Sequence, residues 1–320
     1  MTKKITPKNP IFIAAWPGMG HVAIKAAVYL KDKLQAQHFA KLDTDKFSYQ
    51  TDVVIHNSLI QMDRLPSGNF YYWENKFRKN DLIIFLSDIQ PPPEKSEAYA
   101  RAILEFTASL KVKMMFTFAA MLSAMSHTHT PKVWLAVTQQ KLIDDFKGID
   151  TRLMESGQVN GLNGIFLGYA KKKKMNGACL LGEIPFYAGQ IENPRSSMAV
   201  LNTLTKYLGI NLDLTELSLT AKAMEDEIEK LIEHIKETSG VDEEDRPITS
   251  DDIERMRNIL SSQSQIPHSA KRQIEELFLQ ARDDLSCAVE LKRKLDEWNA
   301  YKDYEDRFLE LFKRGDERGN

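Results

Sequence analysis

The stretch 160-NGLNGIFLGYAKKKKMNGACLLGEIP-185 decides the fold class. Its first half sets Leu162, Ile165, Phe166 and Tyr169 on one stripe of a 3.6-residue period, which predicts a helix over about 161–171. Lysines 171–174 complement the negative end of that helix dipole, and Asn176-Gly177 turns the chain. The run 178-ACLLGE-183 then shows no in–out alternation, the pattern of a strand covered on both faces. A helix that feeds a doubly covered strand is a unit of an α/β fold with a mostly parallel sheet.

Three glycines interrupt this helix, and each costs up to about 1 kcal/mol relative to alanine. If Asn160 caps the helix, Gly161, Gly164 and Gly168 lie within about 60° of one another around its axis. A bare strip beside an apolar one suits close approach of a neighbouring backbone. A phosphate cradle would gather its glycines before the first turn, and no G-x-x-x-x-G-K-[ST] occurs. The N–H groups around Gly161 remain a candidate anion site, and Asn160, Gly161, Asn163 and Gly164 are its candidate residues.

Outward from this stretch the same alternation continues. Buried strands are predicted at 11-IFIAAW-16, 82-LIIFLSD-88, 112-VKMMFTF-118 and 133-VWLAVT-138, with helices at about 20–36, 94–109 and 194–208. The segment 53-VVIHNSLIQMDRLPSGNFYYWEN-75 reads as a hairpin about its P-S-G-N turn. Past residue 214 the character becomes helical. The expected organisation is an α/β core over 1–237, a polar linker with a short helix over 238–268, and a long C-terminal helix over 269–320. In that helix Leu291, Leu295, Trp298, Leu309 and Phe312 form an apolar seam close to a heptad, the candidate partner-binding surface. Asp284, Lys302 and Glu305 interrupt the seam, so packing within the appendage and self-association are both open.

Composition narrows the function classes. The 43 basic and 45 acidic residues nearly cancel, so no general nucleic-acid footprint is present. The Lys171–Lys174 run lacks a flanking aromatic platform for bases. The two cysteines, Cys179 and Cys287, form neither a disulfide framework nor a zinc pattern and fit a reducing compartment. No apolar stretch approaches the roughly 20 residues that span a bilayer. The first apolar run is too short for a secretory leader. A cytoplasmic protein is expected.

Two constellations could carry chemistry. Gly18-Met19-Gly20-His21-Val22-Ala23 fits G-x-G-x-x-A between a strand and a helix, and Asp43 lies 20 residues past Ala23 as the dinucleotide fingerprint requires. Pro17 and Met19 crowd that turn, which favours a structural role. Asp88, Gln90 and Glu183 end predicted strands, where open parallel sheets bind ligands, and two carboxylates there could do acid–base work if adjacent. His127 and His129 form an H-x-H with no third metal ligand in obvious spacing. No cofactor or metal is assigned, and no complete catalytic constellation appears.

Taken together, 16-WPGMGHVAIKAAVYL-30, 82-LIIFLSDIQPPPEKSEAYARAIL-104, 160-NGLNGIFLGYA-170, 177-GACLLGEIPFY-187 and 197-SMAVLNTLTKYLGINLDLTEL-217 resemble the proteasome assembly chaperone 2 (PAC2) family over roughly 10–235. N-G-L-N-G followed by L-L-G-E-x-P is the most specific part. The family's first loop more often reads G-x-G-N-x-G, whereas His21 and Ala23 stand here. The resemblance implies a Rossmann-like core, related in shape to nucleoside phosphorylases, that forms homo-oligomers. Some members assist assembly of the proteasome α-ring and dock through a C-terminal hydrophobic–tyrosine–any tripeptide. This sequence ends Arg318-Gly319-Asn320, so docking by that route is not expected. The family has also carried an ATP-grasp label, which no residue pattern here supports. The expected function is that of a non-enzymatic, oligomeric protein-binding or assembly-chaperone-like protein. The alternative is an enzyme or sensor binding a small anion at the strand ends through Gly18, Gly20, His21, Asp88, Gln90, Asn160, Gly161, Asn163, Gly164 and Glu183.

Overall fold

Strand β1 (Ile11–Ala15) explains the architecture, because all five residues are buried although successive side chains point to opposite faces. Ile11, Ile13 and Ala15 join one apolar cluster, and Phe12, Ala14 and Trp16 join a second. A strand that serves two cores must carry an unbroken apolar run, as it does. The computed structural model describes residues 5–44, 46–47, 53–56, 59–62, 67–77, 80–238 and 287–297, with scattered positions between 274 and 311.

The elements follow as α1 (Val22–Lys33), β2 (Gln37–Leu42), β3 (Val53–His56), β4 (Leu59–Met62), β5 (Gly68–Trp73), β6 (Leu82–Ser87), α2 (Ser96–Ser109), β7 (Met114–Ser123), β8 (Val133–Val137), β9 (Arg152–Leu153), α3 (Leu162–Lys172), β10 (Gly177–Pro185), α4 (Pro194–Leu208) and α5 (Thr215–Thr238). Eight strands form one mixed sheet in the order β2-β5-β6-β1-β7-β10-β8-β9. Its centre, β6-β1-β7-β10, is parallel, while β5 and β8 run antiparallel on either side. Ala26 and Leu30 of α1 and Val200 and Leu204 of α4 cover one face; Tyr99 and Ile103 of α2 and Phe166 of α3 cover the other.

The long hairpin expected over 53–75 is corrected. The strands β3 and β4 pair with each other, with His56 opposite Leu59, ahead of P-S-G-N. The run after that turn is β5, which pairs with β2 and β6 inside the main sheet. Its Phe70 is 1 % exposed because α2's Phe106 ring packs 4.4 Å from it.

Helix α5 lies along α4 and inserts Leu217, Ala221 and Ile228 as buried residues. Arg195 of α4 forms a forked ion pair with Glu225 of α5. His127 Nδ1 lies 2.8 Å from the Tyr187 hydroxyl, and its Nε2 lies 2.8 Å from the Glu229 carboxylate, so α5 also approaches the loop after β7.

A second compact unit spans Glu243–Asn320 and includes α6 (Ala288–Glu297). Its core gathers Ile274, Phe278, Ala281, Ala288, Leu291, Leu295, Phe308 and Leu311. The Phe278 and Tyr304 rings lie 5.7 Å apart. One continuous helix would separate residues 26 positions apart by about 39 Å at 1.5 Å per residue. The long helix expected over 269–320 is therefore corrected: the segment folds back so that its apolar side chains bury one another.

Candidate functional site

The carboxyl ends of the parallel strands are where the candidate residues should meet, and part of the set does. Trp16 directly follows β1 and is held among the rings of Phe85, Tyr99 and Phe166 at 5.8, 6.5 and 5.3 Å. Its indole N–H donates to Tyr99 Oη (3.4 Å), which donates to Ser87 Oγ (3.0 Å), which donates to the Ile89 carbonyl (2.8 Å). Burial pushes the Tyr99 phenol above its usual range and keeps it a donor. This chain sets the loop after β6, and with it Gln90.

Two side-chain amides then close the edge. Asn163 Oδ1 accepts from the Trp16 N–H (3.2 Å) and its Nδ2 donates to the Trp16 carbonyl (3.1 Å), as a neighbouring strand would. Gln90 Nε2 donates to the Pro17 carbonyl (2.6 Å), while its Oε1 accepts from the Leu162 N–H (2.8 Å). The start of α3 is thereby bonded to β1 and to the β6 loop. An anion at this helix start would have to displace Gln90 from the Leu162 N–H.

Gly18, Gly161 and Gly164 make room for these amides and for the chain beside them. A Cβ on Gly18 would sit 3.3 Å from Asn163 Nδ2, and one on Gly161 would sit 2.6 Å from Gln90 Oε1. A Cβ on Gly164 would meet the Val159 carbonyl oxygen. Gly168 meets nothing within 4 Å, so the expected strip for a neighbouring backbone is corrected to local crowding at the first turn. Nothing in the structure explains Gly168. The expected cap is also corrected: the N-cap is Gly161, at φ 72° and ψ −177°, a conformation essentially reserved for glycine, and Asn160 is exposed. Close approach to a helix occurs instead at Gly182, where a Cβ would run into Ser196 Oγ of α4.

The dinucleotide pattern has the expected strand–turn–helix setting but not the remaining geometry. Gly20 N–H donates to Gly189 O (3.0 Å) and His21 N–H to Gly18 O (3.0 Å), while Gly20 O accepts from Asn193 N–H (2.8 Å). Gly20 and His21 both take positive φ, 59° and 48°. The loop is thus stitched to residues 189–193, and His21 and Lys25 face Glu192 at 3.5 and 2.8 Å. Strand β2 lies three places from β1, so Asp43 at its end stands about 14 Å away at about 4.8 Å per strand.

Asp88 and Glu183 do not form an acid–base pair, because β6 and β10 are also three places apart. Asp88 accepts from the Ser67 N–H (3.1 Å) and hydroxyl (2.5 Å). Glu183 accepts from Trp134 Nε1 (2.9 Å) and the Lys132 N–H (3.1 Å). Each carboxylate fastens a neighbouring segment. Cys179 is buried and its thiol is pushed up to about 11, so it stays protonated near neutrality. No cluster of three or more His, Cys, Asp or Glu exists among the described residues, and no helix there is long and apolar enough to cross a membrane.

The sequence reading passed over what surrounds this edge. Met19, Ile89, Leu122, Ile165 and Phe186 are 37 to 51 % exposed, and they stand at the carboxyl ends of β1, β6, β7 and β10 and on the first turn of α3. The available signal was apolar residues in loop positions that usually carry polar ones, as in 17-PGMGH-21 and 184-IPFY-187. The seam residues Leu291 and Leu295 are buried in the second unit, and Leu309 is 45 % exposed. Trp298 and Phe312 lie outside the described residues.

The sequence model of the PAC2 family matches residues 12–232, and the chain belongs to that family. The fold resembles that of Pyrococcus furiosus PbaB, described as an archaeal proteasome activator, at 31 % identity over 72 % of this chain and 96 % of that one, with a TM-score of 0.62. Pyrococcus furiosus PbaA, described as an archaeal homolog of proteasome-assembly chaperone, shares the fold at 23 % identity over 73 % and 97 %, with a TM-score of 0.56. An uncharacterized protein of Methanocaldococcus jannaschii is 25 % identical over 73 % of this chain and 90 % of its own.

Proposed function

We propose that this chain is a non-catalytic, protein-binding member of the PAC2 family that acts in the cytoplasm as a homo-oligomer, in the manner of an assembly chaperone. The observation that carries the reading is the carboxyl edge of the parallel sheet. Its ligand crevice is closed by the amides of Gln90 and Asn163, and exposed Met19, Ile89, Leu122, Ile165 and Phe186 stand around it. Exposed apolar side chains at the carboxyl ends of the parallel strands favour a protein partner over a small polar substrate. The kinship with PbaB makes a proteasome core particle the first partner to test.

The test is capture of core particles by the full chain, with native mass recorded in parallel, for wild type and a Met19→Asp/Phe186→Asp variant. Both side chains are about half exposed, so the variant should keep its melting midpoint. Loss of capture, of oligomeric mass or of both supports the reading. Retention of the full mass together with equal capture refutes the role of this edge, and absence of any capture by wild type refutes the proteasome as partner.

A further inference from the structure

We propose that the opposite edge of the sheet carries a binding site for a compact polyanion bearing two or more phosphate groups. A cleft of about 590 Å³ opens there, walled by Lys113, Lys141, Lys171 and Lys174. The topology brings them together. Lys113 leads into β7, and Lys141 follows the antiparallel β8, whose carboxyl end meets the amino end of β10. Lys171 and Lys174 stand where α3 returns to that same edge.

All four lysines are exposed, and none has a carboxylate partner among the described residues. Their neighbours do have partners: Lys173 pairs with Glu105 (3.8 Å), Lys147 with Asp144 (2.8 Å), and Lys172 lies over the Tyr169 ring. Four lysines without a carboxylate partner therefore share one cleft. The dipole of α3 accounts for cations at 171–174 but not for Lys113 or Lys141, which come from other elements. Lys174 is held at φ 57°, at the position after the helix where glycine is favoured.

The floor is already organised. Thr138 Oγ1 donates to Met175 O (3.0 Å) and accepts from Gly177 N–H (2.9 Å). Gln139 Nε2 donates to Asn176 Oδ1 (2.8 Å). No aromatic residue lines the cleft, which leaves nothing for a base to stack on and favours phosphate groups alone. Four point charges around a concave surface concentrate a multivalent anion far better than a monovalent one.

Calorimetric titration of the full chain with inorganic tripolyphosphate tests this, alongside sulfate and an oligoglutamate peptide. Tripolyphosphate should bind at least about tenfold more tightly than sulfate and weaken steeply with salt. Lys113→Gln/Lys141→Gln should weaken it about tenfold or more, whereas Lys147→Gln, outside the cleft, should leave it unchanged. Lys174→Gly should weaken binding without lowering the melting midpoint, since it removes the charge while relieving the left-handed backbone. The proposal is overturned if tripolyphosphate binds no better than sulfate, if oligoglutamate binds more tightly, if the double variant binds like wild type, or if Lys147→Gln loses as much.

Discussion

Alanine at Gly161 separates backbone strain from side-chain crowding. Gly161 sits at φ 72° and ψ −177°, where a residue with a Cβ pays about 1–3 kcal/mol. Its new methyl would also lie 2.6 Å from Gln90 Oε1 and 2.9 Å from Nε2. Gln90 cannot swing aside without releasing the Leu162 N–H and the Pro17 carbonyl, two bonds worth about 0.5–1.5 kcal/mol each. Gly161→Ala should therefore cost about 4 kcal/mol in all. Gln90→Ala alone should cost about 2 kcal/mol for the lost bonds. Without Gln90 the methyl loses its three nearest neighbours, so the double variant should be more stable than the sum of the single changes implies, by about 2 kcal/mol. Urea unfolding of the four proteins, followed by far-UV circular dichroism, measures this coupling. Additivity within about 0.5 kcal/mol would refute the placement of the Gln90 amide against Gly161.

Three further outcomes follow from the same packing. Asn163→Asp turns the donor that faces the Trp16 carbonyl into an acceptor in a buried site, and should lower stability by about 2–4 kcal/mol in the same urea assay. Ile228→Ala removes a buried anchor of α5 at a cost of about 2–4 kcal/mol, with faster hydrogen exchange over 215–238 than in the central strands. Cys179 should resist iodoacetamide at pH 8 in the folded protein and react once unfolded, as counted by mass spectrometry. Its thiol is raised from 9.0 to about 11 by burial, so the stability it contributes is complete below pH 9 and is lost as pH rises through 11. Cys179→Ala should flatten part of that alkaline decline.

The strands of the core were legible because burial on both faces demands unbroken apolar runs, as in 11-IFIAA-15 and 82-LIIFL-86. Helices α1 to α4 were legible from period and position. Two segments misled for a shared reason: hydrophobic pattern tells which side of an element is buried, not what buries it. The run after P-S-G-N pairs inside the main sheet rather than with its nearer neighbour. The heptad-like tail buries its apolar residues against itself, bringing Phe278 to Tyr304. Of the candidate site, Gly18, Gln90, Asn163 and the first turn of α3 do meet, whereas Asp88 and Glu183 are drawn apart by strand order.

What the sequence alone determined is the α/β class, the doubly covered strands and the family. Those follow from local periodicity and from motif, which neighbouring residues carry in full. Tertiary structure decided which candidate residues meet at the end of β1 and how they are bonded there. Whether Gln90 faces solvent or fills the start of α3, and whether four scattered lysines share one cleft, depends on strand order and on the direction of β8. Strand order is set by contacts between residues far apart in the chain, and no local pattern encodes it.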